Sequence, residues 1–144
     1  MKTKVFVATS LLLLTVVSFA WAPSPTLKNV KAQLVDGGNL QVTWEEVNLS
    51  SNVYVHYAVN GNVTATYTCV NSNGRCSNST YEVSQPILLG GTFLSSRRGV
   101  IIGSLQTQDI PDPPSTFTCS GGQTMLLSSI SYRPILLQDT TNGP

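Results

Sequence analysis

Few residues in this chain have the side chains that acid–base chemistry requires. His56 is the only histidine, and acidic residues lie close together only at Glu45-Glu46 and at Asp109 with Asp112. A histidine base needs a nucleophile and an orienting carboxylate, but neither a G-x-S-x-G elbow nor a Cys-His signature is present. The acidic pairs could bind calcium in a loop or act together on a glycoside. Such charges more commonly keep a strand edge soluble, so the sequence predicts no catalytic residue.

Metal and phosphate sites are not indicated either. One histidine and three cysteines, two of them expected to form a disulfide, cannot supply four zinc ligands at the usual spacing. The glycine pairs at Gly37-Gly38, Gly90-Gly91 and Gly121-Gly122 are followed by no Lys-Ser/Thr pair, so they indicate turns and bulges. Arg97-Arg98 is the only basic doublet, and two charges give little affinity for an anionic glycan in physiological salt. We therefore expect no metal and no cofactor.

The composition narrows the class of protein. The 144 residues correspond to about one domain, with 41% hydrophobic and 10% charged residues. Eight Lys and Arg against seven Asp and Glu give a net charge of +1, without the basic excess of a nucleic-acid-binding surface. Ser, Thr, Asn and Gly are abundant, which suits exposed strands and turns. The composition favours an all-β protein that does not bind nucleic acid.

Residues 1–22 have the pattern of a secretory signal peptide. Lys2 and Lys4 form its basic region, and Val5–Val17 form its apolar region. The unbroken apolar run is shorter than the roughly 20 residues that a bilayer span needs, and no second run of that length follows. We expect a secreted, extracellular protein with no membrane span once the signal is removed.

The end of this signal offers two cleavage sites. Ala20-Trp21-Ala22 supplies the small residues for a cut after Ala22, but signal peptidase tolerates Pro23 at the following position poorly. Cleavage after Ala20, with Ser18 two residues earlier, is the alternative. We expect residues 23–144 to form a single domain.

A chain that enters the secretory pathway can be glycosylated at N-glycosylation sequons, and this sequence has three. They begin at Asn48, Asn62 and Asn78, and each falls at a predicted loop or strand start, where a glycan would stay in water. A chain rich in Asn, Ser and Thr also forms such triplets by chance, and a bacterial host would leave them bare. In a eukaryotic host we expect at least one of the three to carry a glycan.

Hydrophobic residues recur with a period of two, which is typical of half-buried strands. The clearest example places Val55 and Tyr57 on one face and His56 on the opposite, solvent-facing side. Asn60-Gly61 follows, and this dipeptide is typical of a type I′ turn. The sequence therefore predicts a hairpin from this strand onto Val63–Val70.

Prolines predict further interruptions. Pro86 should break a strand or lie at a sheet edge, and Pro134 separates two stretches of strand character. The proline-rich stretch Ile110–Pro114 should cross from one sheet to another, and Ser115–Cys119 should form a strand. With seven to nine short antiparallel strands, the expected fold is a β-sandwich of the immunoglobulin, fibronectin III or related Greek-key type.

Three cysteines in an oxidising compartment allow one disulfide and leave one thiol. Cys69 is in register with Tyr67 and Cys119 with Phe117, so both should face the core, which favours pairing them. A local bridge from Cys69 to Cys76 remains possible, but it would close a shorter loop and gain less. With the long-range bridge formed, Cys76 is a free thiol that could link two copies in a disulfide dimer.

Two stretches resemble secreted proteins. Leu27–Glu45, which ends in LQVTW, is similar to the opening strands of a fibronectin type III domain, although a tyrosine corner is absent and paired in-register cysteines are unusual in that family. Tyr67–Asn71 (YTCVN) and Pro113–Ser120 (PPSTFTCS) resemble small secreted β-proteins of unassigned function. This second resemblance covers the C-terminal two thirds of the chain. It implies a pairing of Cys69 with Cys119 and carries no activity.

Together these features indicate a secreted, non-catalytic β-sandwich that binds an extracellular protein or glycan, as an adhesion or matrix component. One alternative is a small effector or inhibitor that contacts its target through a rigid loop, such as residues 71–80 or 109–114. A second is a secreted carbohydrate-active enzyme. An enzyme would require clustered carboxylates, or a carboxylate with His56, within hydrogen-bond reach of one another.

Overall fold

A computed structural model of the protein describes residues 22–143. The predicted signal peptide, apart from its last residue, lies outside the described residues. Residues 22–143 contain no α-helix, and no helix among them is long and apolar enough to cross a membrane. Six strands are present: β1 (Thr26–Leu34), β2 (Leu40–Val47), β3 (Tyr54–Val70), β4 (Cys76–Leu94), β5 (Ile101–Gln106) and β6 (Thr124–Asp139).

The strands form two antiparallel sheets of three. Strand β2 is central in the order β1-β2-β5, and β3 is central in the order β4-β3-β6. The all-β prediction is confirmed within the described part of the chain. The predicted number of seven to nine strands is wrong there, because strands continue through Asn60-Gly61, Pro86 and Pro134 and none forms at Ser115–Cys119.

The prediction of a hairpin at Asn60-Gly61 is wrong, because β3 passes straight through both residues. Gly61 lies opposite Ile87 of β4 and Ile135 of β6. A Cβ atom at Gly61 would lie 2.4 Å from the carbonyl oxygen of Pro134 and 2.7 Å from Cδ1 of Ile135. Glycine is needed here because a neighbouring strand approaches closely, and not because the chain reverses.

Neither Pro86 nor Pro134 ends a strand. Both lie within strands at the edges of the second sheet, Pro86 in β4 and Pro134 in β6. An edge strand can accommodate a residue that lacks an N–H, so the edge position foreseen for Pro86 is the one observed. Pro134 follows a cis peptide bond from Arg133.

The connection from β5 to β6 crosses between the sheets, as predicted for Ile110–Pro114. The strand predicted at Ser115–Cys119 does not form, and the connection contacts the second sheet through side chains. The hydroxyl of Tyr67 donates a hydrogen bond to the carbonyl of Pro111 at 2.9 Å. The ring of Phe117 lies 5.3 Å from the ring of Tyr81.

A disulfide fixes the end of this connection. Cys69 and Cys119 are bonded with their Cα atoms 5.5 Å apart, which confirms the predicted pairing and excludes the local bridge to Cys76. Cys69 is fully buried, as expected, and Cys119 is half-buried. Cys76 is exposed and free.

Inward-facing side chains of both sheets meet in one core. The aromatic rings of Trp44 on β2 and Tyr57 on β3 lie 4.7 Å apart, and Phe93 of β4 packs edge-on against both. A Cβ atom at Gly103 of β5 would lie 2.2 Å from the Trp44 ring, so only glycine leaves room for the indole. The buried aliphatic members of the core are Leu40, Val42, Val55, Val59 and Ile101.

Candidate functional site

A buried cluster of polar side chains lies at the end of the core where β2 and β6 finish and β3 begins. Glu46, Tyr57 and Asp139 are exposed by 2%, 2% and 4%, respectively. The hydroxyl of Tyr57 donates a hydrogen bond to Oε2 of Glu46. Strand alternation places all three side chains inward, because Glu46 follows Trp44 at a spacing of two residues and Asp139 follows Leu137.

Burial in this cluster favours the uncharged forms of Glu46 and Tyr57. Burial raises the pKa of Glu46, and the nearby carboxylate of Asp139 raises it further, while the hydrogen bond from Tyr57 acts in the opposite direction. Burial and the contact with Glu46 raise the pKa of Tyr57 above its usual range. Tyr57 therefore stays protonated and acts as the donor. The Nε1 atom of Trp44 is also buried, without a hydrogen-bond partner among the described residues.

Asp139 also holds the segment that follows β6. Its Oδ1 atom accepts hydrogen bonds from the backbone N–H groups of Thr141 at 2.8 Å and Asn142 at 3.1 Å. The backbone of His56 is joined to the same segment, because its N–H donates to Oγ1 of Thr141 and its carbonyl accepts from the N–H of Thr140, both at 2.8 Å. These bonds hold the segment after β6 beside the acidic cluster.

A carboxyl group whose pKa is raised, as that of Glu46 is, can act as a general acid or base if a ligand reaches it. A cleft of about 290 Å³ beside Pro25 and Leu27 is lined in part by Glu46 and Asp139. The two side chains expose only a few per cent of their surface, however. In the described conformation their main role is therefore to join β2, β3 and β6.

A larger cleft of about 510 Å³ lies beside this cluster, and we call it the Tyr54 cleft. Tyr54 exposes 67% of its surface there. The other polar side chains of the lining are hydroxyls and amides, and none carries a charge. The lining residues are Ala22, Pro23, Ser24, Pro25, Asn48, Leu49, Ser50, Val53, Tyr54, Val55, Thr141 and Asn142.

The loop between β2 and β3 forms one wall of the Tyr54 cleft. Hydrogen bonds with Ser95 and Gly99, which follow β4, hold this loop in place. Ser95, exposed by 1%, donates its hydroxyl to the carbonyl of Ser50 at 2.6 Å and accepts the N–H of Val53 at 2.9 Å. The N–H of Leu49 donates to the carbonyl of Gly99 at 3.0 Å. The wall is therefore preformed.

The predicted acid–base residues do not assemble as pairs. His56 is exposed, as expected, and its Nδ1 atom lies 2.7 Å from Oγ1 of Thr92. Glu45 accepts a hydrogen bond from Asn29 on the face opposite Glu46. The expectation that Glu46 is a solvated strand-end charge is wrong, because its side chain continues the buried register of β2.

The remaining acidic pair, Asp109 and Asp112, lies exposed in the connection between β5 and β6 and does not enter the buried cluster. Within residues 22–143, no group of three or more His, Cys, Asp or Glu residues is placed to hold a metal ion.

The three sequons occupy different environments, although all three asparagines are exposed. Asn48 lies in the loop after β2 with a φ of 64°, and its side-chain amide donates to the carbonyl of Ser24 at 3.3 Å. Asn78 lies near the start of β4. Asn62 lies in the middle of β3, so its prediction as a loop or strand-start residue is wrong.

The buried cluster and the Tyr54 cleft were not predicted from the sequence, for different reasons. Strict alternation along β2 was enough to identify Glu46 as an inward-facing carboxylate. Nothing in the spacing of the residues indicated the Tyr54 cleft, because four separate segments of the chain form it. No family model, curated protein or solved structure matches this chain, so its function has to be inferred from these sites.

Proposed function

We propose that this protein is a secreted, non-catalytic β-sandwich that binds a neutral extracellular glycan in the Tyr54 cleft, as an adhesion or matrix component. The observation that carries the proposal is the uncharged lining of hydroxyl and amide groups around an exposed tyrosine ring. Two kinds of evidence support secretion: the signal-like pattern of residues 1–22 and a disulfide of the kind that persists in oxidising compartments.

The sandwich is inferred from the core. Side chains of β2 and β3, the central strands of the two sheets, meet between them, as they do when sheets pack face to face. In such folds the loops at the sheet ends are common binding sites, because a rigid scaffold positions them. The Tyr54 cleft has this position.

A neutral sugar matches the chemistry of the lining. Its hydroxyl groups can exchange hydrogen bonds with the hydroxyl of Ser50 and can donate to the side-chain oxygen of Asn142, whose amide nitrogen donates to Asp139. Its apolar C–H face can pack on the ring of Tyr54, which is amphipathic in the same way. The volume of about 510 Å³ is within the range of ligand sites in proteins. No side chain of this lining carries a charge that would attract an acidic or basic ligand. With cleavage after Ala22, the new amino group of Pro23 would be a positive charge in the lining.

The alternatives depend on other residues. An effector or inhibitor would use the connection between β5 and β6, where Tyr67 holds Pro111, or the loop before β4. A carbohydrate-active enzyme would use Glu46 and Asp139, which line one cleft but are almost fully buried. Turnover of an oligosaccharide that is lost in Glu46→Gln would favour the enzyme.

A glycan array followed by titration tests the proposal. Because Asn48 lines the cleft, a glycan attached there would obstruct it, so the protein should come from a bacterial periplasm, where disulfides form and sequons stay bare. We expect binding to neutral glycans, at least tenfold weaker in Tyr54→Ala, because loss of a buried aromatic contact costs about 1.5 kcal/mol or more.

Two variants control this experiment. Tyr54→Phe keeps the ring and should bind within a few-fold of the wild type. Leu94, the cross-strand partner of Tyr54, exposes 52% of its surface outside the cleft lining, so Leu94→Ala should bind normally. Equal binding by Tyr54→Ala and the wild type, or no binding to any neutral glycan, would contradict the proposal.

A further inference from the structure

The outer face of the β4-β3-β6 sheet contains an apolar depression of about 420 Å³ around Asn62. Pro86 of β4 pairs directly with Asn62. On the other side the register with β6 shifts between Gly61 and Val63, which places Pro134 beside Asn62. A proline therefore flanks Asn62 on each neighbouring strand.

Two exposed leucines complete the rim. Leu88 and Leu136 both pair with Asn60, one from each side, and expose 74% and 53% of their surface. Contiguous apolar surface of this kind on a protein commonly marks a position that something else covers.

Asn62 is the residue in this depression that can acquire a covering group, since it begins the sequon Asn62-Val63-Thr64. Its side chain is exposed, and no hydrogen bond within residues 22–143 holds it. The neighbouring Asn60 differs, because its amide lies 3.5 Å from Oε1 of Gln138. The Asn62 amide is thus free to carry a substituent without losing an internal contact.

We propose that Asn62 carries an N-linked glycan whose first N-acetylglucosamine packs in this depression against Leu88 and Leu136 and stabilises the sheet. The proposal rests on the secretion part of the proposed function. In the transfer, the bond from C1 of the sugar to a lipid pyrophosphate donor breaks and a bond from C1 to Nδ2 of Asn62 forms. The lipid pyrophosphate leaves, and the amide nitrogen gives up one proton.

The position of Asn62 in the middle of a strand does not prevent this transfer, because the transferase acts on the extended chain before the sheet forms. The folded sheet then determines where the sugar lies. Asn78 provides the contrast within the same sheet: it is exposed near the start of β4, its neighbours are Ser77 and Ser79, and it does not line the depression. A glycan on Asn78 should extend into solvent.

The test uses the full chain secreted from a eukaryotic host. Mass spectrometry first measures occupancy of each sequon, and Tm is then compared for the intact glycoprotein, the protein trimmed by an endoglycosidase that leaves one N-acetylglucosamine, and the variants Asn62→Gln and Asn78→Gln. We expect Asn62 to be occupied and the trimmed protein to keep the Tm of the intact form. Asn62→Gln should lower Tm by about 3–5 °C, and Asn78→Gln should not change it.

A second comparison separates packing from other effects of the glycan. In a Leu88→Ser/Leu136→Ser background, the loss of the glycan by Asn62→Gln should no longer lower Tm, because the apolar partners of the sugar are gone. An unmodified Asn62 in secreted protein, an unchanged Tm in Asn62→Gln, or the same loss in both backgrounds would overturn the proposal. Binding by the Tyr54 cleft is measured on unglycosylated protein, so its outcome is independent of this one.

Discussion

Glu45 and Glu46 are adjacent in the sequence but differ in environment. Glu45 accepts a hydrogen bond from Asn29, whereas Glu46 faces inward and accepts one from Tyr57. Successive side chains of a strand point to opposite faces, so the position of Glu46 two residues after Trp44 determines its burial. Local alternation alone indicates this burial, but Glu46 was expected to be a solvated strand-end charge, so this part of the site was not predicted.

Replacing Glu46 by Gln should remove a pH-dependent loss of stability. Burial and the charge of Asp139 raise the pKa of Glu46 above the ordinary value of 4.5, so the folded state keeps a proton that the unfolded chain releases. Below pH 4.5 Glu46 is protonated in both the folded and the unfolded state, so the free energy of unfolding is not reduced. As the pH rises through the folded pKa, the free energy of unfolding should fall, by at most about 1.4 kcal/mol per pH unit. Urea unfolding across this window measures the effect.

Two variants check the assignment to Glu46. Glu45→Gln, in the neighbouring position on the opposite face, should keep the wild-type pH dependence. Tyr57→Phe removes the hydrogen bond that lowers the pKa of Glu46, so in this variant the loss should extend to higher pH. A pH profile that Glu46→Gln leaves unchanged would show that another group causes it.

The disulfide should contribute a large part of the stability. Cys69 and Cys119 are 50 positions apart, and closing a loop of this length in the unfolded chain is worth about 4 kcal/mol. Cys69→Ser or Cys119→Ser should therefore lower Tm by more than about 10 °C, as measured by calorimetry. A loss of only a degree or two would mean that the connection between β5 and β6 is held by its other contacts.

Cys76 provides the matched control because it is exposed and unpaired. Cys76→Ser should change the free energy of unfolding by less than about 0.5 kcal/mol. It should also abolish any disulfide-linked dimer that the wild type forms on a non-reducing gel. Persistence of such a dimer in Cys76→Ser would mean that the Cys69–Cys119 bond exchanges between chains.

The strand positions could largely be predicted from the alternation of apolar residues, but their lengths could not. Asn60-Gly61, Pro86 and Pro134 are local signals for turns or breaks, and each lies inside a strand. Their local preferences are overridden because β3 pairs on both sides along most of its length and the prolines occupy edge strands. The position of a strand within its sheet is a property of the tertiary fold, which the local sequence does not contain.

Gly61→Ala should test the continuity of β3. The added methyl group would lie 2.4 Å from the Pro134 carbonyl oxygen, so β6 would have to move, at a cost of about 1–3 kcal/mol. Gly90 is the control, because a Cβ atom there would lie 3.8 Å from its nearest contact, the carbonyl oxygen of Tyr57. Chemical denaturation should show a clear loss for Gly61→Ala and a small change for Gly90→Ala. Equal losses would contradict the close approach of β6.

At the scale of the whole molecule, the first and last of residues 22–143 meet beside the acidic cluster. Pro25 contributes to both clefts there, and Asn142 lines the larger one beside the loop from Asn48 to Val53. Residues this far apart in the sequence share no spacing pattern from which a common site could be recognised. This explains why the Tyr54 cleft could not be predicted, whereas the disulfide and the all-β class could.

Binding in the Tyr54 cleft can be tested most directly by a titration of isotopically labelled, unglycosylated protein with a neutral oligosaccharide selected on the array, followed by NMR. Backbone amide signals of residues 48–55 and 141–142 should shift in a saturable way, and those of the connection at 109–114 should stay in place. In Tyr54→Ala the same shifts should require at least tenfold more ligand. Saturable shifts centred on 109–114, or none in the cleft, would contradict glycan binding at this site.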